Sequence, residues 1–433
     1  MDFQEVYAKG NEALKQKQFD DARKYFEEAI KLKPNDIYAS NKLAMVLKEQ
    51  GDFDGAKALL GGSLKVKSED LYTNYLLGNT YLESGDVDKA IETLEHTVKM
   101  NPKDRYALNS LALAYRTKGD YAKCIKTLED SVTNNPDDLY NKLSLATVLF
   151  EIEDIDGSKK LCNEILKKEP KNAQTLVLIG RIAMGNADYQ EALKVFNQVL
   201  AIDANNSDAH YYIGRIFIET STEEQAREHF NSALANAEDK TSILKNLGMI
   251  YMDKGEFSQA EEHFAMALTI DDEDPFTLSN MGKLLTMMKR PAEAIGYLKK
   301  AIDIMPDYAF AYYNLAKAYQ NVGDFPNAIY NLMFALNYEP DDVYAVNVLG
   351  RMFLEVGLND RAYRTFNQVL DEFDKNDKFA ILGKAEALSA MGHTRNALEV
   401  LDGLKKIAKD DKIVQEKISN LENKIKMKEE GNK

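Results

Sequence analysis

Three asparagines, Asn246, Asn280 and Asn314, follow one another at intervals of 34 residues. Five cations, Arg181, Arg215, Lys283, Lys317 and Arg351, keep the same ruler three residues further on, with Met249 as the one interruption. A third row is aromatic: Tyr38, Tyr72, Tyr106, Tyr140, Phe276, Phe310 and Tyr344, with Phe379 one residue out of step. A carboxamide carries a donor and an acceptor, the complement of a peptide unit. A row of asparagines could therefore hold an extended chain without reading its side chains, and the cations would add a preference for carboxylates. This is binding chemistry. The sequence shows no Ser-His-Asp set, no phosphate-binding glycine loop and no zinc motif. His229 and His263 also stand 34 apart, but no third ligand shares their register, so a surface position is favoured over a metal site.

What must position these rows is an internal repeat. Pro34, Pro102, Pro136, Pro170, Pro306 and Pro340 differ from one another only by multiples of 34. Gly78, Gly180, Gly214, Gly248, Gly282 and Gly350 fall at register position eight, and an alanine recurs at position twenty from Ala22 to Ala362. Repeats then begin at residues 3, 37, 71, 105, 139, 173, 207, 241, 275, 309 and 343, with a twelfth displaced by one residue at 378–411. Each holds two amphipathic stretches of helical length joined by a short turn such as "KGEF" at 254–257. A lone copy of this size cannot bury enough surface to fold, whereas stacked copies share one continuous core.

On these residues the chain resembles the tetratricopeptide-repeat family. Leu247-Gly248, Tyr251, Ala260 and Phe264 carry the signature in one repeat, and Leu77-Gly78, Tyr81, Ala90 and Pro102 in another. The resemblance spans residues 3 to 411 and implies an all-α, right-handed superhelix of antiparallel helix pairs. There are departures. The chain has no Trp, and Tyr312, Leu278 and His210 are among the residues that replace it. Repeat five has Ser158 and Cys162 at closely packed positions, and repeat seven lacks the turn glycine and the closing proline, so both are expected to pack less regularly.

In the first helix of each repeat, positions 4, 7, 8 and 11 form the packing stripe, and positions 2, 5, 6, 9, 12 and 13 form a second stripe on the other side. In the family this second stripe lines the concave surface where ligands bind, which is where the three rows fall. The enzymes that attach N-acetylglucosamine to proteins carry a similar asparagine ladder. The heat-shock co-chaperone clamp is not reproduced: Asn11 matches, but Tyr7, Lys42, Tyr72 and Leu76 stand at its other positions. Each row keeps a second reading. The aromatics could pack against the adjoining repeat, the asparagines could cap or bridge helices, and the cations could pair with Glu219, Asp253 and Glu355.

The formal charge of −15 disfavours a phosphate-backbone partner, and no run of apolar residues is long enough for a membrane span. The two cysteines, Cys124 and Cys162, replace small packing residues and are expected to be buried and inert. "MDFQEVYAKG" lacks a leader pattern, which predicts a cytoplasmic protein. In the tail, Val414, Ile418, Leu421 and Ile425 form one helical stripe, predicting a capping helix and charged tail over 412–433. The first repeat has no such cap, so its edge is a candidate for self-association.

The expected function is a non-catalytic scaffold or adaptor that binds extended, acidic segments of partner proteins, without cofactor, metal, nucleic acid or membrane. The alternatives are a subunit that presents substrates to a separate enzyme such as a glycosyltransferase and, third, a helical-repeat RNA binder.

Overall fold

The computed structural model describes residues 1–220 and 222–431. The last two residues of the predicted tail, 432–433, lie outside the described residues. Those described form twenty-five α-helices and no strand. First helices begin at Phe3, Ile37, Leu71, Arg105, Leu139, Ala173, Ser207, Thr241, Pro275, Ala309 and Val343, 34 residues apart, and then at Lys378.

Local chemistry sets these starts. An aspartate stands just before many of the first helices and accepts a hydrogen bond from a backbone N–H inside the first turn, as Asp36 does from Ala39 at 3.0 Å and Asp70 from Thr73 at 3.0 Å. Such a cap satisfies one of the donors that a helix start leaves open. The stop is equally regular. Position fifteen adopts a left-handed backbone wherever it is described, with glycine at seven places, among them Gly51 (φ +79°) and Gly323 (φ +79°). Lys17, Glu153, Ala187 and Lys289 take the same conformation without glycine's freedom, at φ between +55° and +67°.

The two helices of a repeat approach through a pair of positions whose sizes are matched. The side chain at position 24 is fully buried in repeat after repeat, as at Phe26, Leu94, Phe196, Phe264 and Leu298. It lies over position eight of the same repeat. A Cβ added to Gly180 would sit 2.5 Å from the Phe196 ring, and one added to Gly248 2.6 Å from Phe264. Every Phe at position 24 has a Gly at position eight of its repeat, Phe230 with Gly214 included, and the ring lies against it for Phe26 with Gly10, Phe196 with Gly180, Phe264 with Gly248 and Phe366 with Gly350. Where position eight is alanine, as at Ala44, Ala112, Ala146 and Ala316, its counterpart is the smaller Leu60, Leu128, Cys162 or Leu332. Volume is thus matched across the pair in these repeats, as close packing favours, while Gly78 with Leu94 and Gly282 with Leu298 combine two smaller residues.

The displaced twelfth repeat has a structural cause. The second helix of repeat eleven, Asn359–Gln368, continues into a π-helical turn, Val369–Phe373, in which the Asp374 N–H donates to the Val369 carbonyl at 2.9 Å. The wider turn absorbs one extra residue without breaking the helix. Repeat twelve therefore starts at 378, and its packing residues Ile381, Ala385, Leu388 and Leu401 remain buried.

The chain divides into two compact units, Met1–Ile216 and Phe217–Lys433, with the division inside repeat seven. In the second unit the helix Lys412–Gly431 lays Val414, Ile418 and Ile425 on the last helix pair, all three at 4% exposure or less. Gln415 donates to the Ala408 carbonyl at 2.8 Å, so the cap satisfies a carbonyl at the end of the preceding helix as well as covering apolar surface.

Cys124 and Cys162 lie in the first unit, both fully buried. Burial pushes each thiol up to about 11. Both are expected to resist a thiol-specific reagent at pH 8 in the native protein and to react within minutes once it is unfolded in guanidinium. Rapid labelling of the native chain would contradict this assignment.

Candidate functional site

The first helices display the aromatic row. In the first unit Tyr38, Tyr72, Tyr106 and Tyr140 are 46–64% exposed. In the second, Phe276, Tyr344 and Phe379 are 42–65% exposed and Phe310 is half-buried. These rings are neither wholly packed nor wholly free. One edge leans on a neighbouring repeat: the Tyr72 hydroxyl meets Met45 Sδ at 3.4 Å, Tyr344 lies 5.9 Å from Tyr313, and Lys245 and Lys283 sit over the Phe276 and Phe310 rings. For Tyr72, Phe276, Phe310 and Tyr344, contact on one side holds a ring whose remaining surface reaches solvent.

In the first unit the row opens into two adjoining cavities. One, of about 590 Å³, is lined by Tyr75, Asn79, Arg105, Tyr106, Asn109 and Tyr140 among others. The next, of about 320 Å³, shares Asn109, Leu113 and Tyr140 and reaches Ser144, Thr147 and Arg181. Asn109 is fixed at the junction, donating to Asn141 Oδ1 at 2.9 Å and to Ser144 Oγ at 3.0 Å. Arg181 is held between the rings of Phe150 and Tyr212, 4.9 and 5.7 Å from its guanidinium carbon. In the second unit a smaller cavity of about 210 Å³ lies between Phe310, Tyr313 and Tyr344.

The cationic row divides. Arg351 forms an ion pair with Glu386, which occupies the same register position in the next repeat, and so ends the row. Lys317 donates to Gln320 at 3.0 Å. Among the described residues Arg181, Arg215, Lys283 and Lys317 make no ion pair. Glu219 and Asp253 pair with none of them, and Glu355 accepts from Gln320. Four cations of the row thus have no carboxylate partner among the described residues and are open to an incoming anion.

The asparagine row is more inward than the sequence suggests. Each carboxamide donates to the carbonyl four residues back in its own helix, at 2.8 Å in all three: Asn246 to Ser242, Asn280 to Phe276 and Asn314 to Phe310. Asn280 and Asn314 are only 7% and 5% exposed, while Asn246 is half-buried. The physical reason is that neighbouring first helices pack side by side and cover position six. What the row offers a ligand is reduced to the remaining N–H and oxygen of partly covered amides. His229 and His263 lie against Phe217 and Tyr251, and no group of three or more metal-ligating side chains is found among the described residues.

Sequence reading missed Asn141 and Ser144, which orient Asn109, and Phe150, which holds Arg181. The 34-residue spacing marks equivalent positions, whereas these contacts join different register positions of successive repeats.

Tetratricopeptide-repeat models match residues 13–72, 47–114, 106–138, 143–207, 177–241 and 239–307. The chain belongs to the tetratricopeptide-repeat family. A solved tetratricopeptide-repeat protein from Parabacteroides merdae ATCC 43184 is similar at 16% identity, with 57% of this chain and 98% of that one covered and a TM-score of 0.51. A chain of the Cut9–Hcn1 hetero-tetramer of APC/C matches at 16% identity over 93% of this chain and 96% of its own, with a TM-score of 0.49. No curated protein matches the sequence. The tetratricopeptide-repeat assignment establishes a helical-repeat scaffold of the kind that binds other proteins. Among its described residues no helix is long and apolar enough to cross a membrane.

Proposed function

We propose that this tetratricopeptide-repeat protein is a non-catalytic adaptor that holds extended, acidic segments of partner proteins against the open face of its first helices. The observation that carries this reading is the coincidence of solvent-reaching aromatic rings with cations that have no carboxylate of their own: Tyr140 lines one cavity with Arg181 in the first unit, and Lys283 lies over the half-buried Phe310 ring in the second. An incoming carboxylate replaces water at these cations without breaking an existing pair, and a charge-assisted hydrogen bond of that kind contributes about 1.5–3 kcal/mol. Much of the sum is offset by ordering a flexible segment. Each segment is then held modestly, and tight association requires several segments at once. With one N–H of each asparagine spent on its own helix and the amides partly covered, rings and cations carry most of the recognition. The likeness to a glycosyltransferase ladder, on which a substrate-presenting role would rest, is correspondingly weaker.

The test begins with partners captured on the intact chain and identified by mass spectrometry. Arg181→Glu combined with Lys283→Glu and Lys317→Glu is expected to weaken binding of an acidic partner at least about tenfold at unchanged helicity. Wild-type binding is expected to fall as salt is raised. Affinity unchanged by the triple substitution would remove the cationic row from the site.

A further inference from the structure

The cationic row stops at Arg351, which Glu386 neutralises, but cations resume on the capping helix. Lys412–Gly431 packs through Val414, Ile418 and Ile425. Lys417, Asn420 and Lys424, at i, i+3 and i+7, form a second stripe about 100° around the helix from the first. Both lysines are exposed, and neither makes an ion pair among the described residues. All three side chains line a cavity of about 610 Å³, whose other lining comes from repeats eleven and twelve.

Leu354, Phe379 and Leu421 give the cavity apolar surface. Phe379 is the last ring of the aromatic row, 56% exposed, and the Lys417 ammonium lies over it at 5.6 Å from the ring centre. The capping helix thus repeats the ring-and-cation pairing that Lys245 makes with Phe276 and Lys283 with Phe310. The charge left in the lining has one sign. Arg351 and Glu386 cancel in their ion pair, which leaves Lys417 and Lys424. Four acids adjoin lining residues in the chain without lining the cavity themselves. Asp360 pairs with Arg364 and Glu422 with Lys405, while Glu355 accepts from Gln320 of the preceding repeat. Glu416 projects about 100° around the helix from Lys417.

We infer that this cavity receives an acidic stretch of a bound partner protein, with two carboxylates meeting Lys417 and Lys424 and an apolar side chain between them lying against Phe379 and Leu421. Resting on the adaptor reading above, the site carries the binding face past the last repeat, onto a helix that otherwise only covers apolar surface. The spacing of the cations selects the occupant. Lys417 and Lys424 are seven residues apart, about 10 Å along the helix axis, and an extended chain covers that distance in about three residues. Two carboxylates of an extended segment match this spacing better than one compact anion does. The net charge of −15 works against nucleic acid, so a peptide is the polyanion that the charges favour.

The test uses the full chain and a fluorescent peptide with Glu-Leu-Leu-Glu in an otherwise neutral sequence, followed by anisotropy, with a Lys-Leu-Leu-Lys twin. The background is Arg181→Glu/Lys283→Glu/Lys317→Glu, in which the open cations of the first helices are reversed. The Glu peptide is expected to bind this chain, and adding Lys417→Gln/Lys424→Gln is expected to weaken it at least about tenfold. Adding Lys417→Arg/Lys424→Arg instead should retain binding, because the cations remain, and circular dichroism confirms the fold of each variant. Equal binding with and without the Gln pair would overturn the proposal. So would an Arg pair as weak as the Gln pair, which would give the lysines a structural role, or equal binding of the Lys twin or of a short single-stranded RNA. Binding by the wild type that the triple background abolishes would place all recognition on the first helices, removing the cavity while leaving the adaptor reading in place. A wild type that does not bind the Glu peptide would count against both.

Discussion

Phe366→Ala is expected to cost about 3–5 kcal/mol of stability, the upper range for deleting a buried aromatic. Phe366 is fully buried. Its ring faces two glycines, Gly350 in its own repeat and Gly383 in the next. Neither has a side chain to move into the space, and both belong to helices fixed by neighbouring contacts. The void therefore stays open, and the cost includes the cavity as well as the lost transfer energy. Because a repeat array is held by nearest-neighbour interfaces, the loss should concentrate in repeats eleven and twelve. Amide exchange is expected to accelerate most in Val343–Glu355 and Lys378–Ala390, the helices that carry the two glycines. Phe366→Leu should cost less, since Leu94 and Leu298 fill the equivalent place opposite Gly78 and Gly282. A loss below about 1 kcal/mol for the alanine variant would mean that the two helices close on the gap and that the size-matched pair does not hold them apart.

The second large effect is polar. Asn141 is 1% exposed and joins three helices. Its amide donates to Ser131 Oγ at 2.7 Å and to the Arg105 carbonyl at 3.3 Å, and its oxygen accepts from Asn109 at 2.9 Å. Asn141→Ala leaves the buried Ser131 hydroxyl without this partner and removes one of the two bonds that hold Asn109 at the junction of the cavities. The expected cost is about 1–3 kcal/mol, read as a lower urea midpoint with the slope unchanged. Adding Ser131→Ala should recover part of it, because removing both partners leaves no unsatisfied group. If the double variant is as unstable as the sum of the two single changes, Asn141 and Ser131 are not coupled and the network has been misassigned.

These two sites show where the sequence is legible. The fold can be read because its determinants recur at a fixed interval: the capping aspartates, the left-handed turn, the small residue at position eight and the large one at position 24 each act within one repeat. A single sequence holding many copies averages out the exceptions. The match between Phe and Gly, or between Leu and Ala, is likewise written in the sequence and becomes meaningful once the two positions are known to touch. The displaced last repeat was visible as an offset of one residue, while the π-helical turn that absorbs it was not, since nothing in "NQVLDEF" distinguishes a widened turn from an ordinary one.

The candidate site was legible as rows but not as surfaces. Periodicity assigns Asn314, Lys317 and Phe310 to the same side of one helix. How much of each reaches solvent depends on the distance to the next helix and on the length of each side chain. Short asparagines at position six are covered by the adjoining first helix and bond their own backbone, whereas longer lysines and arginines at position nine extend past it. Pairing also lies outside the sequence. Arg351 is neutralised by Glu386 and Arg181 is not, because the first has a carboxylate at its own register position one repeat on and the second has aromatic rings on either side. By itself the sequence determined the repeat, its helices and which side chains share a face, because these follow from local geometry and a fixed period. Only the tertiary structure decided which of those side chains are open, paired or covered, because that depends on the spacing between helices brought together from different repeats.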